Sequence, residues 1–422
     1  MQLTMQRRCA MSEPGKKKYP GKKLLKGGLI LLLILVVLGT INYNRLVRVY
    51  RVINLFEPEV IEDNFRTMGQ LLGSRSVTAG DQTFQFNYDR QDLPETYQFD
   101  GETRISSVFI ERCDTTGLIV ARGETILFEE YYRGNTEASK VICWSVSKSI
   151  LSALFGIAFE EGLIDNLDET VTDYVPALQG SGYEGVRIKD VLQMSSGIRF
   201  NEDYADFYSD INRMGRAFAF NTPLDRFVAS LEGEREPGTY NQYVSMDTQV
   251  LAMILREATA MDLSQYTEEK LWKPLGMEAD AYWLVDSTGM EAAFGGFNAV
   301  LRDYARFGLL YLYNGWWDGK EVISESWIDS SITPDAPHLM PGENPASDWV
   351  IGYGYQWWIP EGDEGDYLAI GIYGQAVYIN PRYNIVIART AVYNDYDLDG
   401  EEMELESIEF FRTIARAMGD KR

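Results

Sequence analysis

Ser145 and Lys148 lie three residues apart in Trp144-Ser-Val-Ser-Lys-Ser149. On a helix, residues at that spacing share a face, so the lysine ammonium can approach the serine hydroxyl. Placed at a helix N-terminus, the serine also gains free backbone N–H groups and partial positive charge, which favour alkoxide character and an oxyanion site. Lysine acts as a base in such a pair only if burial and its neighbours lower its pKa. By itself Ser-x-x-Lys is a weak signal, since any surface helix can contain it. The chain has no Gly-x-Ser-x-Gly, so the nucleophile elbow of another hydrolase class is absent. Its single histidine, His338, excludes a metal site that needs two imidazoles. A serine–histidine triad would have to use that residue, which lies in the proline-rich run 333–341 and reads as part of a surface loop.

Two further segments could contribute. In Glu236-Pro-Gly-Thr-Tyr-Asn-Gln-Tyr-Val-Ser245, a Pro-Gly turn leaves Tyr243 and Ser245 on irregular chain just before a helix. Tyr243 could relay a proton if nearby ammonium groups depressed its phenol pKa. The alternative is a core tyrosine beside a turn. In Gly371-Ile-Tyr-Gly-Gln375, glycine where a strand begins permits close backbone approach by a ligand. An ordinary loop into a strand has the same composition.

These groups need elements to position them. Two β-rich runs, 117–121 and 125–131, flank a hairpin signal at 122–124. Apolar Ile150, Leu151, Leu154, Phe155 and Ile157 recur at helical spacing over 145–161, and Gly162 ends the helix. From about 165 to 330, helical patterns such as 247–258 and 301–312 alternate with Gly/Pro loops. Strands follow at 376–379 and 384–389, with a closing helix within 402–418. This order predicts an α/β (α+β) domain over 101–422. Its sheet is built from both ends of the segment, flanked by helices, with the helical middle inserted. Residues 45–100 show no long periodic segment and read as a linker and extended cap.

The chain has 422 residues and a net charge of −24, unevenly placed. Residues 1–26 carry eight basic groups against Glu13, so this tail is +7 and the remainder −31. An acidic body of that size disfavours nucleic acid, which requires a basic footprint. Residues 27–44 are uncharged, and 29–38 are all Leu, Ile and Val. That stretch is expected to be a single-pass membrane anchor, with the basic tail 1–26 cytoplasmic and the body extracytoplasmic or periplasmic. A cleaved signal peptide is the competing reading. Three cysteines make no disulfide framework. Cys113 and Cys143 are expected as buried free thiols, with pairing outside the cytoplasm as the alternative.

Taken in order, the three segments resemble the serine β-lactamase, penicillin-binding and DD-peptidase superfamily. Its pattern is Ser-x-x-Lys, then Tyr-x-Asn or Tyr-x-Ser, then a Lys-Thr-Gly-like triplet. The surroundings of the motifs, 192–198, 236–239 and 273–277, are similar to the class C β-lactamase-related hydrolases. Within that group, 371–375 looks most like the branch of 6-aminohexanoate-oligomer hydrolases and carboxylesterases.

The resemblance implies a β-lactamase/transpeptidase-like fold with an antiparallel sheet, and a serine hydrolase acting on small esters or amides without cofactor or metal. By the same resemblance Ser145 is acylated, Lys148 and Tyr243 move protons, and the N–H groups of Ser145 and Gln375 form the oxyanion hole. Tyr204, on the loop 199–206, would contact substrate together with Ser245, Tyr373 and Gly374. Ser245 stands where many relatives have asparagine, and Ile372-Tyr373-Gly374 where β-lactamases have Lys-Thr-Gly. The missing cation weighs against efficient β-lactam or D-Ala-D-Ala recognition, unless Arg199 or Arg389 supplies it. The other readings are a DD-peptidase or β-lactamase, or a catalytically silent sensor or scaffold at the membrane.

Overall fold

The computed structural model describes residues 21–420 except Asn221. Residues up to Val47 form one compact unit and those from Arg48 onward a second. In the first unit, residues 27–41 of the uncharged stretch belong to a helix, Gly21–Ile41, that exposes Leu29 through Leu38. Among the described residues no single helix is long and apolar enough to cross a membrane. A bent pair, Leu25–Ile41 with Leu46–Ile53, passes on length and composition. The first twenty residues of the basic tail lie outside the described residues.

The second unit is organised around an eight-stranded sheet. In chain order its strands are β1 (Asn87–Tyr88), β2 (Thr115–Arg122), β3 (Thr125–Tyr131), β4 (Gly352–Tyr353), β5 (Trp358–Ile359), β6 (Tyr367–Gly371), β7 (Gln375–Asn380) and β8 (Ile385–Ala391). They lie side by side as β4-β5-β6-β7-β8-β2-β3-β1. Every pairing is antiparallel except β1 with β3 at one edge. The C-terminal β8 pairs with the early β2, from Ile385 opposite Arg122 onward, so both ends of the domain build one sheet as expected.

The five helices that matter here are α1 (Val146–Glu160), α2 (Asp210–Ala219), α3 (Ser245–Thr259), α4 (Leu301–Leu312) and α5 (Tyr396–Met418). Successive residues of a strand face opposite sides of a sheet. A β-carbon on Gly308 of α4 would meet Val377 and Val386, whereas Phe411 of α5 packs on Tyr378. These two helices therefore cover opposite faces, which is why β7 and β8 are buried along their whole length and mostly apolar.

The inserted region is mainly helical but also contributes Ala281–Leu284 and Phe297–Ala299 to a second, four-stranded sheet with Ser74–Val77 and Val141–Ile142. Residues 45–100 are not a free linker. They form short helices at Ile61–Arg66 and Met68–Leu71 and the strand Ser74–Val77, and they bury Leu55, Ile61, Phe65, Met68 and Val77. The span also holds most of the eleven-residue helix Tyr43–Ile53, whereas the elements of four to six residues after it are too short to leave a periodic signal. Phe65 packs edge-on against Trp144 at 5.3 Å and Tyr373 at 5.5 Å, and Phe56 stacks on Tyr373 at 5.0 Å. Both Trp144 (φ 46°) and Tyr373 (φ 60°) have left-handed backbone, which costs a bulky residue about 1–3 kcal/mol and persists only where packing enforces it.

Replacing Phe65 with alanine removes that packing. Phe65→Ala is expected to cost about 3–5 kcal/mol in urea unfolding, whereas Val108→Ala at an exposed position costs under about 0.5 kcal/mol. Equal losses for the two variants would show that the N-terminal segment is not part of the core.

Candidate active site

The strand Val141–Ile142 ends three residues before Ser145, and Cys143 N–H donates to the Phe297 carbonyl at 3.0 Å. This ties the chain down just before it turns into α1, with Ser145 as N-cap. Gly371 at the end of β6 packs against the same turn. A β-carbon there would lie 2.3 Å from the Cys143 carbonyl oxygen and 3.1 Å from the Ser145 nitrogen. The glycine thus admits the protein's own backbone rather than a ligand.

Lys148 is buried, at 2 % exposure. Its Nζ lies 2.8 Å from Ser145 Oγ, 3.2 Å from Ser245 Oγ and 2.7 Å from the Phe294 carbonyl oxygen. Burial pushes its pKa down to about 7, against the opposing pull of Glu202 and Cys143. The polarity of these bonds can be derived. The Phe294 carbonyl can only accept. The Ser245 hydroxyl donates its one proton to Glu202 Oε1, so its oxygen accepts from Lys148. Two N–H bonds of the lysine are thereby committed. In the neutral amine the remaining direction, toward Ser145 Oγ, holds the lone pair. The arrangement can take a proton from that hydroxyl at neutral pH.

Glu202 is held by three donors: the Ser245 hydroxyl, the Ser245 N–H at 2.9 Å and the Tyr204 hydroxyl at 2.8 Å. Burial raises its pKa and Lys148 pulls it back. The Tyr243 ring lies beneath Lys148, 4.9 Å from Nζ to centroid, and stacks on Trp358 at 5.4 Å. Its phenol is pushed well up, first by burial and then by Tyr353 and Glu202, with only the Ser145 side chain acting the other way. This reverses the expected depression. Tyr243 enters as a protonated phenol and can act as an acid.

Ser145 and Tyr243 open onto a cavity of 550 Å³. Its wall carries seven carboxyl groups, of Glu202, Asp203, Asp348, Asp397, Asp399, Glu401 and Glu404, with no lysine, arginine or histidine among the described residues. Neither suggested cation reaches it. Arg199 pairs with Glu232, and Arg389 is buried against the Gly374 carbonyl and Ser407. His338 is not a surface-loop residue, because its imidazole is buried against Ser195 Oγ at 3.1 Å, and it does not border the cavity. No cluster able to hold a metal occurs among the described residues. Cys113 and Cys143 are free and buried, with pKa values pushed up by burial to about 11 and about 12.

The structure thus brings Ser145, Lys148, Tyr243, Ser245 and Tyr204 together, but does not bring the third segment in as expected. The Gln375 side chain is spent on the carbonyls of Ile372, Tyr373 and Ala391, and Gln375 is not on the cavity wall. Ile372, the residue that follows the end of β6, lines the cavity beside Ser145 instead. Tyr373 turns into the aromatic cluster with Phe56 and Phe65, and Gly374 takes φ 86° beneath Arg389. Neither touches the cavity. Tyr204 spends its hydroxyl on Glu202, and Ser245 acts through Lys148. Sequence reasoning passed over Glu202, one acid among several on its loop, and the Phe294 carbonyl, which leaves no side-chain signature.

With this geometry in place, similarity to known proteins becomes specific. A sequence model of the beta-lactamase family matches residues 102–403. The chain is 33% identical over 342 residues to a 6-aminohexanoate-dimer hydrolase of Paenarthrobacter ureafaciens, covering 79% of this chain and 86% of that one. Among solved structures, a protein assigned provisionally as a 6-aminohexanoate-dimer hydrolase from Bacillus anthracis superposes with a TM-score of 0.76. It is 23% identical, covering 86% of this chain and 96% of that one. A family VIII carboxylesterase gives a TM-score of 0.54 at 14% identity, covering 74% and 95%. Both share the fold.

The proton arrangement predicts a pH profile. For p-nitrophenyl butyrate, kcat/KM should rise through about pH 7 as Lys148 loses its proton. His338→Ala should leave that limb in place. Glu202→Gln removes the negative charge that raises the lysine pKa, so the limb should move to lower pH. A limb that followed His338, or moved upward in Glu202→Gln, would overturn the assignment of Lys148.

Proposed function

The chain belongs to the beta-lactamase family and is a serine hydrolase, and we propose that it cleaves small esters or linear amides through an acyl-enzyme on Ser145. The observation that carries this reading is the polarity at Lys148, whose only uncommitted direction faces Ser145 Oγ. Lys148 Nζ takes the hydroxyl proton as Oγ bonds to the substrate carbonyl carbon. The developing oxyanion is held by N–H groups of Ser145 and the neighbouring Ile372. Tyr243 donates its phenolic proton to the departing alcohol or amine as the carbon–heteroatom bond breaks. The proton on Lys148 then restores the phenol. Water enters by the same route in reverse and releases the acid.

The substrate class follows from charge. Burial pushes Glu404 up to about 8 and so leaves it mostly neutral at pH 7. The other six carboxyl groups, on a wall without a cation, disfavour the carboxylate that β-lactams and D-Ala-D-Ala peptides present and accept neutral or cationic leaving groups. The relative named as a 6-aminohexanoate-dimer hydrolase supports linear amides within this range. A charge-assisted bond to a substrate carboxylate contributes roughly 1.5–3 kcal/mol, about tenfold to a hundredfold in affinity, and none is on offer here. A silent sensor or scaffold would have no use for a lysine held neutral against a serine.

The uncharged stretch 27–44, exposed over Leu29 to Leu38, supports a membrane anchor with the hydrolase on the extracytoplasmic side. Under that reading the chain stays with carbonate-washed membranes, and recovery in the soluble fraction would count against it.

Two measurements test the chemistry. Ser145→Ala should lose ester hydrolysis by several orders of magnitude while keeping its unfolding midpoint. On the unaltered protein, kcat/KM for p-nitrophenyl butyrate should exceed that for nitrocefin by roughly tenfold or more. Nitrocefin equalling the ester would mean that a cation enters the site after all.

A further inference from the structure

Arginines pair with carboxylates across the body, Arg302 with Glu129 and Glu278 and Arg112 with Glu406 among them. None of the seven carboxyl groups on the wall of the 550 Å³ cavity has such a partner among the described residues. Two pairs of them face like charge instead. Burial and then the charge of Asp203 raise the carboxyl of Asp397 at the start of α5. Burial pushes Glu404 up to about 8 and Glu401 adds to the rise, while the Tyr396 hydroxyl and Arg389 behind Gly374 pull the other way. We propose that this wall is a cation site, and that the preferred substrates carry an aliphatic ammonium on the leaving group. Esters of amino alcohols and monoacylated diamines have that form. The proposal rests on the reading of Ser145 as nucleophile and Tyr243 as acid, and names the substrate class within it.

Glu404 is the fixed point of the site. It is 4 % exposed and borders the cavity. Among the described residues only its Oε1 has a hydrogen-bond partner, the Tyr396 hydroxyl at 2.8 Å, and Oε2 has none. A buried carboxyl oxygen without a donor is costly to maintain. An ammonium supplies both the donor and the opposite charge, and so favours the ionised form of Glu404. Tyr396 is held edge-on to Tyr204 at 6.4 Å and tilted on Tyr373 at 5.3 Å, so packing fixes the carboxyl before a ligand arrives.

The site lies on the leaving-group side. Tyr243 borders this cavity, whereas the 130 Å³ cavity that α2 borders beside Ser145 does not include it. A group that takes the Tyr243 proton therefore departs into the acidic cavity. Glu404 is near enough that its charge helps to raise the Tyr243 phenol. Trp358 stacks on Tyr243 at 5.4 Å, and Trp349 lies 5.0 Å beyond it, so an aromatic strip runs along the wall. The strip accommodates the carbon of an alkylammonium while the carboxyl groups take its charge. Hydrolysis consumes one water and breaks the bond between acyl carbon and heteroatom. It releases a carboxylic acid and an alcohol, thiol or amine that keeps its ammonium.

The test compares butyrylthiocholine with neohexyl thiobutyrate, in which carbon replaces the quaternary nitrogen at the same shape. The released thiol reports both reactions. Each kcat/KM is divided by the rate of hydroxide-catalysed hydrolysis, which removes the difference in leaving-group reactivity. On the full chain the corrected ratio should favour the cation by roughly tenfold or more. Glu404→Gln and Asp397→Asn should each lower that ratio by about threefold or more. A ratio near one, or one that both variants leave untouched, overturns the cation site. Should the variants fold poorly, inhibition of the unaltered chain decides the matter. Choline should compete at roughly tenfold lower concentration than neohexyl alcohol, and equal inhibition overturns the proposal. Ser145→Ala separates the two readings. If it cleaves the neutral thioester at the unaltered rate, the nucleophile falls and the cation site with it. If it is inactive and the corrected ratio is one, the cation site alone falls.

Discussion

The single proton on the Ser245 hydroxyl constrains the whole site. Because Glu202 takes it, Ser245 can only accept from Lys148, and the lysine is left with one direction to spend. A carboxylate that never touches the nucleophile thus decides which way its proton moves. That dependence reaches into the loop 199–206. Asn212 of α2 clamps the loop through the carbonyls of Tyr204 and Asp206, and Asp210 accepts from the Asn201 N–H. Helix α2 therefore serves the lysine as well as the cavity beside it.

A second constraint is mechanical. The nucleophile and the Gly371–Ile372 corner are each flanked by an aromatic residue in left-handed backbone, Trp144 and Tyr373. Neither conformation would persist by itself. Phe56 and Phe65 hold both from the N-terminal side, and Gly371 lets the two backbones close to van der Waals distance. Binding energy, proton path and backbone strain thus converge on the few residues between Trp144 and Lys148.

What the sequence makes legible follows its periodicities. Helix α1 with Ser145 and Lys148, helix α4 and the strands from 115 to 131 and from 375 to 391 repeat apolar residues regularly enough to be read. Tyr243 is legible because a turn and a helix start bracket it. Glu202 is not, since neighbouring Asp203 and Asp206 are equally acidic and only the fold selects one. Ile372 and Gln375 differ in role because of a local turn at Tyr373, and a triplet aligned by type alone cannot locate that turn. The prolines around His338 point to a surface loop, yet its ring is buried beside Ser195. Beyond the helix Tyr43–Ile53, residues up to 100 build elements too brief to show a period, and tertiary packing gives them their shape.

Strand β2 is sandwiched between β3, its immediate successor, and β8, near the end of the chain. During translation the first partner arrives within moments, while the second is still unmade. At the usual pace of synthesis the exposed flank of β2 waits roughly tens of seconds for Ile385–Ala391 to emerge. Over that interval an apolar strand edge is open to any other strand in reach. The corner at Gly371 that closes over Ser145 is also still missing, so a ribosome-bound chain carries the nucleophile without the pocket that would make it reactive. The pocket is complete only once the last strand has paired, so the order of synthesis itself sets when the site can form.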